Sequence, residues 1–266
     1  MARFNAGTIR AIAASLICGL ALVMSGCSAA AQAMARFGEG VQAQRAFFRG
    51  AERYQAKDYQ GAIPELESAL ALEPTHDEAE ALLAWSYYHA EKYPEATRHF
   101  LQALTRKPNW DGLHNGLGWS RYQVGRYNLA LEAFRQALAL DRTYRDAEVG
   151  YAYTLFEMGR YAEALPHLER LTRQGEGGLQ SPAPDLEQVR SRYAWTLFYL
   201  GDYAKARQQF AKGIAARPEW SGLHNGLGWT SLRLGDAARA RQAFQRAIEL
   251  KPDLVDAREG LAQLPR

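Results

Sequence analysis

The stretch Gly125-Arg126-Tyr127-Asn128-Leu129-Ala130-Leu131-Glu132-Ala133-Phe134 returns as Gly159-Arg160-Tyr161-Ala162-Glu163-Ala164-Leu165-Pro166-His167-Leu168. It returns again as Gly201-Asp202-Tyr203-Ala204-Lys205-Ala206-Arg207-Gln208-Gln209-Phe210. A glycine turn, a tyrosine, a small residue and a bulky apolar residue keep one spacing, and a fixed period identifies a repeat array. Working outward gives six units of equal length: Ala43–His76, Asp77–Trp110, Asp111–Tyr144, Arg145–Gly178, Glu187–Trp220 and Ser221–Leu254. A short insert, Leu179–Leu186, interrupts between the fourth and fifth.

Counted within a unit, position 8 is always small (Gly50, Ala84, Gly118, Ala152, Ala194, Gly228) and position 20 is always alanine. Position 24 is large and apolar: Leu66, Phe100, Phe134, Leu168, Phe210, Phe244. Small residues at 8 and 20 let two helices approach, and position 24 fills the space beside them. Glycine at position 15 suits the turn after the first helix. Proline at position 32 (Pro74, Pro108, Pro218, Pro252) stops the second. Pro64 and Pro166 share position 22, expected in the first turn of the second helix, where a missing N–H is tolerated.

These positions resemble the tetratricopeptide repeat over residues 43–254. The resemblance implies an all-α fold, an α-solenoid of six helix-turn-helix repeats in which neighbours bury each other's apolar faces. Val255–Leu264 is expected to be a capping helix within the segment 255–266.

The array is doubled at a higher level. Trp110-Asp111-Gly112-Leu113-His114-Asn115-Gly116-Leu117-Gly118-Trp119 recurs as Trp220-Ser221-Gly222-Leu223-His224-Asn225-Gly226-Leu227-Gly228-Trp229, with one difference in ten. The offset between the copies equals three units plus the insert. The remainder of the unit, Ser120–Tyr144 against Thr230–Leu254, agrees at only six positions. Three glycines in one helix cost about 1 kcal/mol each against alanine. Two explanations stand at this point: binding, or an unusual packing that holds its surroundings fixed.

In the family, positions 2, 5, 9, 12 and 13 of the first helix face a concave groove. Position 9 here carries Trp85, Trp119, Tyr153, Trp195 and Trp229, where the family usually has asparagine. Position 12 adds Tyr88 and Tyr122. The resemblance therefore implies an aromatic stripe along the groove. Gly112, Gly116, Gly222 and Gly226 are expected to open room for a ligand, and Asn115 and Asn225 to hydrogen-bond it. Such a groove suits a peptide segment, with Trp and Tyr as anchors, or a glycan lying on ring faces. The basic clamp with which some members capture a C-terminal carboxylate is missing, since only Arg192 fits it.

Residues 1–26 read as a secretory signal. Arg3 and Arg10 precede a short apolar run, Ala11–Val23, which falls well below the roughly 20 residues of a spanning helix. Val23-Met24-Ser25-Gly26-Cys27 resembles a bacterial lipoprotein signal, which implies that Cys27 is lipidated and begins the mature chain. Ser28 in place of aspartate implies the outer membrane, periplasmic face. Residues 27–42 are expected to be a tether.

Composition narrows the function classes. Apolar residues make up 47% and charged residues 23%, as in folded proteins. Net charge is +3, which does not suit a nucleic-acid binder. With Cys18 removed and Cys27 lipidated, no thiol is left. No two of the six histidines stand at i, i+4, and no nucleophile–base pattern is readable. The expectation is a scaffold without enzyme activity, cofactor or metal. Its partner is expected to be an envelope protein of secretion, pilus or outer-membrane assembly; the alternative is a polysaccharide in export or cell-wall remodelling.

Overall fold

The computed structural model describes residues 32, 34, 36–176 and 185–265, all helices and short turns. The signal segment, Cys27 and nearly all of the insert lie outside the described residues. The chain divides into two compact bodies, one through Glu91 and one from Lys92.

The first body contains α1 (residues 36–55), α2 (Tyr59–Leu72) and α3 (Asp77–His89). The second contains α4 (Tyr93–Arg106), α5 (Asp111–Gln123), α6 (Tyr127–Leu140), α7 (Arg145–Glu157), α8 (Tyr161–Glu176), α9 (Leu186–Tyr199), α10 (Tyr203–Ala216), α11 (Ser221–Arg233), α12 (Ala237–Leu250) and α13 (Val255–Ala262). Within the second body each helix packs on its chain neighbours. The first helix of a unit also meets the first helix of the next: α5 with α7, α7 with α9, α9 with α11, α11 with α13. That nearest-neighbour pattern is the solenoid.

Position 15 adopts a left-handed backbone in every unit. Gly125, Gly159, Gly201 and Gly235 have φ between +71° and +84°, and the same angle falls on Lys57 (62°) and Glu91 (60°). Aspartate at position 16 then caps the second helix: Asp58 accepts from Gly61 N (2.9 Å), Asp202 from Lys205 N (3.2 Å) and Asp236 from Arg239 N (3.1 Å).

The core is built on position 24. Leu66, Phe100, Phe134, Leu168, Phe210 and Phe244 are all fully buried. In the second body each phenylalanine lies against position 6 of the following unit, which is glycine every time. A Cβ at Gly116 would stand 2.3 Å from the Phe100 ring. The corresponding distances are 2.3 Å from Gly150 to Phe134, 2.3 Å from Gly226 to Phe210, and 2.3 Å from Gly260 in α13 to Phe244. Position 8 closes the other side, with Gly118 at 2.6 Å from Phe134 and Gly228 at 2.5 Å from Phe244 by the same measure. After leucine at position 24 the next position 6 is not glycine: Leu82 follows Leu66, and Arg192 follows Leu168. A smaller residue at 24 leaves room for a side chain at 6.

Two expectations are corrected. Residues 36–42 of the expected tether are already helical, as the first turns of α1, although Gly38 and Gly40 are poor helix formers. Pro64 is in the second turn of α2 rather than the first, because the helix starts at Tyr59. It therefore gives up one backbone bond inside the helix.

Gly116→Ala is expected to destabilise the chain by about 1–3 kcal/mol through overpacking, although alanine has the better helix propensity by about 1 kcal/mol. Adding Phe100→Leu is expected to recover part of that loss. A double-mutant cycle by urea denaturation measures the coupling; additive losses contradict the packing rule. Lys57→Gly is expected to stabilise by up to about 1 kcal/mol, by relieving a left-handed lysine.

Candidate functional site

The doubled segment joins one repeat to the next. Asn115 is 1% exposed and donates from Nδ2 to Asp146 Oδ2 at 2.7 Å. Trp119 Nε1 donates to the same oxygen at 2.9 Å. The second copy repeats the arrangement: Asn225 Nδ2 donates to Asp256 Oδ2 at 2.6 Å, and Trp229 Nε1 donates to the same oxygen at 3.0 Å. Each aspartate stands at position 2 of the following helix, so one carboxylate oxygen ties two donors across the joint. His114 and His224 hold the preceding turn, each through Nε2 to a proline carbonyl, Pro108 and Pro218, at 2.8 Å. Gly112 and Gly222 lie beside the indoles of Trp110 and Trp220, where a Cβ would be 3.4 Å and 3.2 Å from Nε1.

At Gly116, Gly226, Asn115 and Asn225 this corrects the expectation of ligand space. The room beside Gly116 and Gly226 is filled by Phe100 and Phe210. Asn115 and Asn225 are buried and spend their donors on aspartate. Of the two explanations for the doubled segment, the geometry supports packing.

The aromatic residues at position 9 occupy different settings, with Trp119 and Tyr153 meeting at 6.3 Å between ring centres. Trp119 also meets the Phe134 ring edge to face at 5.2 Å, and Trp229 meets Phe244 at 5.5 Å. Tyr153 is only 5% exposed, under the Arg192 guanidinium at 3.8 Å from its ring centre. Burial pushes its hydroxyl up to about 12, against the opposing pull of Arg192. Tyr122 is likewise raised to about 12, first by burial. It donates to Glu157 at 3.2 Å, and Glu157 pairs with Arg192 at 3.7 Å. Both tyrosines therefore stay protonated at neutral pH.

Trp85 and Trp195 belong to a different arrangement, built twice. In the first body Tyr59 stacks on His89 at 4.6 Å and 21°, and Trp85 stacks on His89 at 5.9 Å and 27°. Tyr54 meets Tyr59 edge to face at 5.3 Å, and Trp85 meets Tyr88 at 5.6 Å. In the second body Tyr161 stacks on Tyr199 at 4.4 Å and 14°, and Trp195 stacks on Tyr199 at 5.9 Å and 28°. Phe156 meets Tyr161 at 5.5 Å, and Trp195 meets Phe198 at 5.4 Å. Each is a five-ring cluster centred on position 13, with positions 9 and 12 of the same helix and positions 12 and 17 of the preceding unit. Tyr199 is 52% exposed, and His89 is also exposed. Desolvation lowers the His89 pKa, so its ring is neutral at pH 7.

The sequence reading missed His89, Tyr199, Tyr59 and Tyr161. The available signal was the pairing of tyrosine at 17 with an aromatic ring at 13 of the next unit, which occurs only at these two joints.

Models of the tetratricopeptide repeat match residues 53–117, 121–181 and 193–255, well over half of the chain. The chain belongs to the tetratricopeptide repeat family. No curated protein sequence matches it closely enough to count as a relative. Among solved structures, PilF of Pseudomonas aeruginosa is similar at a TM-score of 0.67 and 19% identity, covering 85% of this chain and 99% of that one. YrrB, described as a tetratricopeptide protein with an unusual peptide-binding site, is similar at 0.62 and 18%, covering 73% and 96%. MamA of Desulfovibrio magneticus is similar at 0.60 and 18%, covering 67% and 97%. At these identities the likeness is one of fold.

Asp146→Ala strands two donors, one of them buried, and is expected to cost about 1–3 kcal/mol. Trp119→Phe, which keeps Asn115 on the carboxylate, is expected to cost less. Chemical denaturation of the two variants checks the order; equal losses, or none, contradict the clamp.

Proposed function

We propose that this tetratricopeptide protein is a non-catalytic scaffold, lipid-anchored through Cys27 on the periplasmic face of the outer membrane. Each five-ring cluster holds a segment of an envelope protein engaged in secretion, pilus biogenesis or outer-membrane assembly. The observation that carries the reading is the recurrence of the same cluster, ring for ring, in two bodies of one chain. Its central ring is exposed in both. Rings spent on packing alone would be covered, as Phe100 and Phe134 are. Exposed aromatic groups with a polar edge are what protein interfaces use as anchors. The family generally serves protein–protein interaction, and YrrB is a fold relative described by its peptide-binding site.

A peptide is favoured over a glycan by ring orientation. Sugar stacking needs an open ring face. Tyr161 and Trp195 both stack on Tyr199, at 14° and 28°, so ring faces in the cluster are spent on one another.

The combined variant His89→Ala, Tyr199→Ala is expected to keep its helix content and lose most partner protein captured from solubilised envelopes. Bound polysaccharide is assayed in the same eluates. Undiminished protein capture refutes the clusters as the site, and loss of polysaccharide alone establishes the glycan reading instead. Cys27→Ser is expected to abolish incorporation of labelled fatty acid and release the chain from membranes. Labelling that persists refutes the anchor.

A further inference from the structure

Position 6 of a unit's first helix faces the unit before it. Gly116, Gly150 and Gly226 each lie there against the ring of a preceding phenylalanine. In unit one, the first of the array, position 6 is Phe48 on α1, and its side chain is 61% exposed. Phe37 is 76% exposed and Val41 38%. At about 100° per residue these three fall within about 40° of one another, on the side of α1 opposite the buried Ala43, Ala46 and Gly50. Met34, also helical and 75% exposed, continues the stripe. Among the described residues no other helix carries three exposed large apolar side chains.

The last helix is built differently. α13 exposes Asp256, Arg258 and Glu259, and Val255 is its one exposed large apolar residue. A repeat array in water needs a polar outer face on its terminal units. α13 meets that condition and α1 does not, so the face of α1 is one that something covers.

Charge gives the face no preference. α1 carries Arg36, Arg45, Arg49 and Arg53 against Glu39 and Glu52. Arg49 is paired with Glu65 at 2.8 Å and Arg53 with Asp58 at 3.0 Å, so four arginines stand beside four acids. The cover is selected by apolar contact.

We propose that the outer face of α1 lies in the bilayer interface, so that lipid covers the first unit of the array. The proposal rests on the lipid anchor at Cys27. Seven residues lead from Cys27 to Met34, a reach of at most about 25 Å. An anchored chain therefore holds α1 at the lipid surface at high effective concentration. A helix with one apolar face settles about 5–10 Å into the headgroup boundary, and none of the described helices is long and apolar enough to cross a membrane. A second copy of the chain is the competing cover. A coiled coil needs about three heptads or more, whereas Met34 to Phe48 spans two, with Gln44 in the seam. Gly38 and Gly40 weaken this stretch as a free helix, and burial of the stripe in lipid offsets that weakness.

The test places a fluorescent amino acid at position 37, 48 or 42, one per protein. Gln42 is exposed but off the stripe. Each lipidated protein is reconstituted in phosphatidylcholine vesicles, with or without phosphatidylglycerol, and nitroxide-bearing lipid is the quencher. Quenching at least threefold stronger at 37 and 48 than at 42 is expected in both lipid mixtures. The same positions are read in a Cys27→Ser mature chain held on nickel-chelating lipid by an N-terminal hexahistidine tag. That arm does not depend on lipidation: a Cys27 that takes up no fatty acid refutes the anchor, while the tethered chain still reports on the face. With the fluorescent residue at 41, the variant Phe37→Ser, Phe48→Ser is expected to lose at least threefold in quenching; circular dichroism checks its fold. Equal quenching at 37, 48 and 42, or none at any of them, overturns the proposal. So does energy transfer between copies labelled at 37 without quenching by lipid, which assigns the face to a second copy.

Discussion

The structure depends on one contact repeated along the chain: a phenylalanine ring from one unit set against the bare backbone of the next. Phe100, Phe134, Phe210 and Phe244 each lie where a methyl group on the following helix would stand 2.3 Å from the ring. That close approach brings the next helix in far enough for its position 2 to reach back. It is why Asp146 and Asp256 meet the indole and amide of the preceding helix. The glycines weaken their own helices, and the buried rings offset that loss. A repeat array has no long-range contacts to compensate for a poor joint, so each joint must be satisfied where it stands.

The doubled segment follows from the same constraint. It contains two ring-facing glycines, a histidine latch on the preceding turn, and the asparagine and tryptophan that share one carboxylate. Each is tied to a partner outside the segment, so change at one position disturbs a joint. The remainder of the unit meets fewer such conditions, and only six of its positions agree between copies. Repetition within one chain therefore marks packing here as strongly as it could mark a ligand.

Fold was legible in the sequence because the period, the small residues at 8 and 20 and the bulk at 24 act locally. The site was only partly legible. Position 9 was correctly aromatic, but one type of residue there has three fates. Trp119 and Trp229 give their N–H to an aspartate of the next unit, Tyr153 goes under Arg192, and Trp195 supports Tyr199. The first two outcomes are decided by what the next unit places at positions 2 and 6, and the third by position 13 of the same helix with Tyr161 of the preceding unit. A reading of single positions within a unit does not see that. The rule joining phenylalanine at 24 to glycine at the next 6 was present in the sequence and required comparison across the joint.

Separating residues that hold the array from residues that face outward leaves the five-ring clusters as the proposed surface for a partner. The most direct test compares two sites in one chain. A photoreactive amino acid is placed at Tyr199 in one protein and at Trp119 in another, and both are irradiated with intact envelopes. The account predicts intermolecular crosslinks from position 199 and, from position 119, only products within the chain. Capture of a partner from position 119 with none from position 199 would contradict it.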